Sequence, residues 1–370
     1  MATLKSLSLV AFALLAASTT AILASTSSPL KNPLSQSQIT AFVPFGDSYT
    51  DTFSPSNGGT AWPVYAVGYA SSSVGSDVEG GENDVENGEN KGKGGQPKVG
   101  LFPFARSGAT CSNNITNRPF PSVFESQLPL WEMEKANGSL GYLADGSKGL
   151  GDSEAKKEDA ALYFLWIGTN DVGDNGLLTG HGAEGVSLVD VMGCAVDWVR
   201  VVYESGGRNF VFANMLPLQR TPLYSANSYV NHYWTAQRNT TEWNVVMSEL
   251  VLSGNALTKL MLQALAPSLP GAHLGIFDTY SLFNDILDRP SVYLNGTAPL
   301  NTTGAVKSCV YQLNESTGDS GDCTIAQGGA RDSFVWFDEL HPSEQSGRVL
   351  AKEMARVIKG QESDWMSWLI

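Results

Sequence analysis

The stretch FVPFGDSYTDT, residues 42–52, runs apolar for four residues and then breaks into Gly46-Asp47-Ser48. An apolar run bounded by turn residues reads as a buried strand, and Gly, Asp and Ser are ordinary turn and N-cap residues. The tripeptide also fits a second use. It can lift a serine hydroxyl to the carboxyl end of a parallel strand, where open α/β sheets gather their ligands. The choice depends on whether the rest of the chain repeats the strand-to-turn pattern and supplies what a reactive serine needs.

The pattern does repeat. The opening strand is expected over 40–45, and apolar runs recur at 161–167, 209–214 and 273–277, with a weaker one at 101–105; helical patterns lie between them, notably at 185–204 and 243–265. A last helix is expected directly after Pro342, with Val349, Leu350, Met354, Val357 and Ile358 on one face. Such alternation predicts an α/β fold, a parallel sheet with helices on both faces. Residues 71–98, SSSVGSDVEGGENDVENGENKGKGGQPK, interrupt it. With almost no large apolar side chains, this insertion cannot offset its ordering entropy and is expected to be disordered. Its acids lack EF-hand calcium-loop spacing.

The first residues read as a secretory signal peptide, about 1–24. Lys5 precedes the apolar run Leu7 to Ala17, and small residues follow at Ala21, Ala24 and Ser25. The remainder, 25–370, is expected to be one domain of a secreted, extracellular, monomeric protein. No later run offers about 18 uninterrupted apolar residues, so stable membrane insertion is not expected. The formal charge of −14 argues against nucleic acid and anionic membrane as partners, since both reward clustered Lys and Arg.

Export makes Cys111, Cys194, Cys309 and Cys323 disulfide candidates. Four cysteines allow three connectivities; Cys309 with Cys323 is the most local pair and would leave Cys111 with Cys194. None has zinc-ligand spacing, so no metal is expected. N-glycosylation sequons begin at Asn114, Asn137, Asn239, Asn295, Asn301 and Asn314.

A nucleophilic serine needs a base, and the chain has only four histidines. His181 lies in GHGAEG, His232 among Asn, Tyr and Trp, and His273 at the start of a buried strand; none has a carboxylate placed to orient it. His341 differs. In WFDELHPSEQ, Asp338 precedes it by three residues on a loop ending at Pro342, so the acid can hold the ring in its useful tautomer. Oxyanion donors are then required. Three offer themselves: the N–H of Ser48, the N–H of Gly108, which has no side chain in the way, and the Asn170 amide.

At this point the chain resembles the GDSL, or SGNH, hydrolases. The matching blocks fall in order, from Phe42 to Lys359: Gly46-Asp47-Ser48-Tyr49, with Tyr in place of the usual leucine, Gly108 in FARSGATCSNN, Asn170 in WIGTNDVGDN, and Asp338 with His341 in FDELHPSEQSG. SGATCSN and the GTNDVG context are similar in particular to fungal acetylesterases of carbohydrate esterase family 16. The resemblance implies a three-layer α/β/α, flavodoxin-like fold and hydrolysis of acyl esters, acetyl on sugars above all, through Ser48, Asp338 and His341 without a cofactor. The partner would be a small-molecule or oligosaccharide ester. Three alternatives remain: a lipase for longer chains, a glycosidase using carboxylates such as Asp47, Asp51 and Asp171, and a non-catalytic carbohydrate binder with aromatic platforms such as Trp62 and Trp166.

Overall fold

The computed structural model describes residues 30–34, 38–72, 99–140, 160–318 and 321–370. The leader expected over 1–24 lies outside these residues, as does the 71–98 insertion apart from its first two serines.

Five strands, β1 (Ala41–Gly46), β2 (Gly100–Leu101), β3 (Ala161–Trp166), β4 (Asn209–Ala213) and β5 (His273–Phe277), pair in parallel in the order 2-1-3-4-5. This is the flavodoxin-like order, and its topological switch point lies at β1 between β2 and β3. Past β5 the chain makes two small ribbons, β6 (Asn301–Ala305) with β9 (Phe334–Trp336) and β7 (Lys307–Val310) with β8 (Asp322–Ile325). A last strand, β10 (Met366–Trp368), then joins β5 antiparallel. The sheet is therefore parallel in its core and mixed at one edge, where a three-residue strand gave no periodic signal.

Every residue of β1, β3 and β4 is buried, as expected of parallel strands covered on both faces. Alternate side chains separate into two apolar clusters. Phe42, Phe164, Trp166 and Val211 pack toward α1 (Trp62–Ser71), while Val43, Phe45, Tyr163 and Phe210 pack toward α2 (Leu128–Ala136) and α3 (Leu188–Glu204). The long helix α4 (Thr240–Leu265) touches both clusters through Met247, Val251 and Leu262. Among the described residues, its extension 240–268 is long and apolar enough to cross a membrane, although no uninterrupted apolar run marks it. Helices α5 (Thr279–Asp288) and α6 (Glu344–Ile358) complete the first layer, with Phe283, Leu350 and Met354 buried beside Trp62 and Trp166.

Two boundaries differ from the sequence reading for identifiable reasons. Of the run 101–105 only Leu101 lies in a strand, the two-residue β2, yet Phe102, Phe104 and Arg106 still donate to the carbonyls of Phe42, Pro44 and Gly46. Pro44 has no N–H to give back to this neighbour, so the regular ladder cannot continue. The last helix starts at Glu344, after Pro342 as expected, but Pro342 precedes the cap and is not part of the first turn, because the Ser343 hydroxyl accepts from the Ser346 N–H and acts as the N-cap.

Candidate active site

β1 ends where only glycine fits. Gly46 has φ +140°, and a Cβ there would sit 2.1 Å from the Trp166 carbonyl oxygen on the neighbouring strand. Its backbone is satisfied by the buried Gln127 amide, which accepts from Gly46 N–H at 3.0 Å and donates to Gly46 O at 2.8 Å. Asp47 then folds the turn. Its Oδ1 accepts from Tyr49 N–H at 3.0 Å, and its carbonyl accepts from the N–H groups of Thr50 and Asp51.

That turn presents Ser48 Oγ to His341 Nε2 at 2.8 Å. His341 Nδ1 lies 3.0 Å from both oxygens of Asp338, whose Oδ1 also accepts from the N–H groups of Leu340 and His341. With the Nδ1 proton directed at the carboxylate, Nε2 is left to accept from the serine. Burial pushes the Asp338 carboxyl upward, but the His341 ring and these N–H donors outweigh it and hold the group below the ordinary carboxylate range. For His341 burial pulls the other way. The Asp338 charge and hydrogen bond, with the Asp47 charge behind them, overcome it and hold the imidazole above its ordinary value.

Gly108 and Asn170 come to the same end of the sheet from the β2 and β3 loops. Among the described residues, the N–H groups of Ser48 and Gly108 have no hydrogen-bond partner. Asn170, in the one-turn helix Thr169–Val172, donates one amide hydrogen to Ala109 O at 2.9 Å, which leaves the second. The loops are cross-braced by carboxylates: Asp171 accepts from Cys111 N–H at 3.1 Å, and Asp51 accepts from Phe53, Ser54 and Ser107. Burial, incompletely offset by N–H donors, pushes Asp47 and Asp171 each up to about 7.

Beside the Ser48–His341 pair opens a cleft of about 380 Å³, counting space open to solvent. Its walls include Trp62, Trp166, Phe283 and Leu350, with Pro55 and Asn57 at the mouth. Gly108 and Asn170 do not line it. Trp62 and Trp166 are 3% and 1% exposed, so they are core walls and not the sugar platforms the sequence allowed.

The other three histidines have structural partners: His181 with Thr179, His232 with Tyr311 and His273 with Asn209. Sequence reasoning missed two tyrosines. Tyr233 Oη donates to Asp338 Oδ2 at 2.8 Å and lies 2.9 Å from His341 Nδ1, while Tyr49 Oη donates to Leu340 O and so ties the serine turn to the histidine loop. Nothing local in the sequence signals either bond, because each partner is more than 100 residues away.

The disulfides are Cys111–Cys194, which ties the Gly108 loop to α3, and Cys309–Cys323, which staples β7 to β8. Five sequon asparagines are exposed, and Asn301 is half-buried. Among the described residues no group of three or more His, Cys, Asp or Glu could hold a metal.

A family model described as GDSL-like lipase/acylhydrolase matches residues 42–354. An acetylesterase of Hypocrea jecorina is 27% identical over 284 residues, covering 72% of this chain and 75% of that enzyme. An acetylesterase of Thermothelomyces thermophilus is 25% identical, covering 70% of this chain and 68% of its own length. Among solved structures, a catalytic mutant of an acetylxylan esterase from Geobacillus stearothermophilus aligns over 89% of this chain and 97% of its own, at 12% identity and a TM-score of 0.40.

Proposed function

Because the chain belongs to the GDSL-like lipase/acylhydrolase family and is a carboxylic ester hydrolase, we propose that it removes short acyl groups, acetyl above all, from acetylated sugars or hemicellulose oligosaccharides. The observation that carries the assignment of residues is the unbroken relay from Ser48 Oγ through His341 Nε2 to the Asp338 carboxylate. Ser48 attacks the ester carbonyl while His341 takes its proton, and the oxyanion meets the N–H groups of Ser48 and Gly108 and the Asn170 amide. His341 then protonates the departing alcohol. Water enters, gives its proton to His341, and releases the acid from Ser48.

The acyl preference is supported by the two acetylesterase relatives. Each methylene beyond acetyl gains about 0.8 kcal/mol only where a site can enclose it. The sugar preference rests on the likeness of SGATCSN and GTNDVG to the carbohydrate esterases. The two disulfides support a place outside the cell.

Turnover of acetate and octanoate esters of one alcohol, and of partly acetylated xylo-oligosaccharides, tests the substrate. Acetate should give the higher kcat/KM, and octanoate turned over tenfold more efficiently would replace this reading with that of a lipase on the same triad. Ser48→Ala should cost several orders of magnitude in kcat with the fold retained. Asn170→Ala should lower kcat roughly 10²- to 10³-fold with little change in KM, as for a donor used in the transition state. Retention of a hundredth or more of wild-type kcat by Ser48→Ala would remove the serine from its role.

A further inference from the structure

The Asn170 amide is gripped at both ends. Its Nδ2 donates to Ala109 O at 2.9 Å, and its Oδ1 accepts from Arg118 Nη1 at 3.1 Å. The same nitrogen reaches the carbonyls of Asn170 and Asp174 at 3.5 and 3.4 Å, so the guanidinium is seated against the loop that carries Asn170. Two residues on, the Phe120 ring lies under the guanidinium, 5.5 Å from its carbon to the ring centroid. That ring packs against Gly108: a Cβ at this glycine would stand 2.5 Å from Phe120 Cγ. One short segment, 118–120, thus braces both oxyanion donors that lie outside the serine turn.

We propose that Arg118 is a positioning residue of the oxyanion hole: its guanidinium fixes the Asn170 amide in the one orientation that leaves an N–H for the oxyanion. The inference rests on the esterase reading above. A flipped amide would set Oδ1 against the Ala109 carbonyl and the NH₂ group against the guanidinium, an acceptor facing an acceptor and a donor facing a donor. Without Arg118 only the Ala109 contact opposes rotation of the side chain. The cation on Oδ1 also draws electron density from the amide, so the free N–H becomes a stronger donor where negative charge develops. Arg118 does this without touching the substrate. Lysine cannot reproduce it fully, because a compact ammonium cannot lie flat over the Phe120 ring as the planar guanidinium does while reaching the Asn170 loop.

Arg118→Ala and Asn170→Ala, singly and together, test the idea, with kcat and KM measured on an acetate ester and folding followed by circular dichroism. Arg118→Ala should lower kcat roughly 10- to 100-fold with KM within about twofold. Because Arg118 acts through Asn170, the double variant should fall no more than about threefold below Asn170→Ala alone. Arg118→Lys should retain an intermediate kcat. Losses that multiply in the double variant, or an Arg118→Ala kcat within about twofold of wild type, would overturn the proposal. If Arg118→Ala does not fold, Arg118→Gln enters the same cycle under the same criteria. Failure is separable from failure of the esterase reading: an active Ser48→Ala removes that reading, whereas inert Ser48→Ala, impaired Asn170→Ala and unimpaired Arg118→Ala remove only this inference.

Discussion

Among single residues, Asp47 has the least direct part in the chemistry and the clearest measurable signature. Its Oδ1 holds the Tyr49 N–H, but its buried Oδ2 has no hydrogen-bond partner among the described residues, and its carboxyl is pushed up to about 7. The native state therefore holds a proton that the unfolded chain releases near pH 3.8, so stability from this group is full below that pH and is lost as pH rises through about 7. Asp47→Asn can keep the Oδ1 bond while removing the charge. The variant should melt higher than wild type at pH 8, with the gap closing toward pH 5; an unchanged gap would contradict the burial argument. The same substitution should move activity. His341 must be neutral to act as base, so kcat/KM should climb with pH through a midpoint above 6.5, the ordinary imidazole value from which the group is raised. Losing the Asp47 charge should shift that midpoint downward in a pH–rate profile.

At the scale of elements, the cleft is a product of packing between α1 and α6 over the end of β3. Trp62, the first residue of α1, stands edge-on to Phe42 and Phe164 and forms one wall, with Leu350 of α6 nearby. Trp62→Ala should cost about 3–5 kcal/mol of stability, as large-to-small core changes do. It should also enlarge the space beside Ser48. The expected result is a rise in the octanoate-to-acetate ratio of kcat/KM, read at a temperature where the variant remains folded; a ratio unchanged from wild type would show that the acyl chain does not enter this cleft. The buried strands were legible because continuous apolar runs bounded by turns admit few other readings. Helix α1 was not, since its apolar residues do not concentrate on one face and it precedes the insertion.

Over the whole molecule, the two disulfides do different work. Cys309–Cys323 closes 14 residues within one ribbon, worth about 3 kcal/mol in the chain-entropy account, whereas Cys111–Cys194 closes 83 and is worth about 4.5 kcal/mol. The longer bridge also anchors the loop that carries Gly108, which Asp171 holds from the other side. Replacing Cys111 and Cys194 by serine should therefore lower both Tm and kcat, while replacing Cys309 and Cys323 should lower Tm less and leave kcat within a few-fold. Paired melts and initial rates distinguish the bridges. Equal losses of kcat would mean that the β7–β8 ribbon also supports the site, through the Lys307 N–H on the Phe337 carbonyl next to Asp338 or through Tyr311 and His232 beside Tyr233.

The sequence by itself determined the alternation of strand and helix, the parallel core, and the short blocks that bear Ser48, Gly108, Asn170, Asp338 and His341. Those features are local: an apolar period, a turn glycine, an acid three residues before a histidine. Only the tertiary structure decided how far Arg118 lies from Asn170, that Tyr233 would meet Asp338, that Gln127 would pair with Gly46, and that Trp62 and Trp166 would be walls instead of platforms. Each of these bonds or burials joins residues that no period relates, through side chains whose types suit many other places. Their direction is set by which elements the sheet brings together, and that information exists only once 2-1-3-4-5 is the order of the strands.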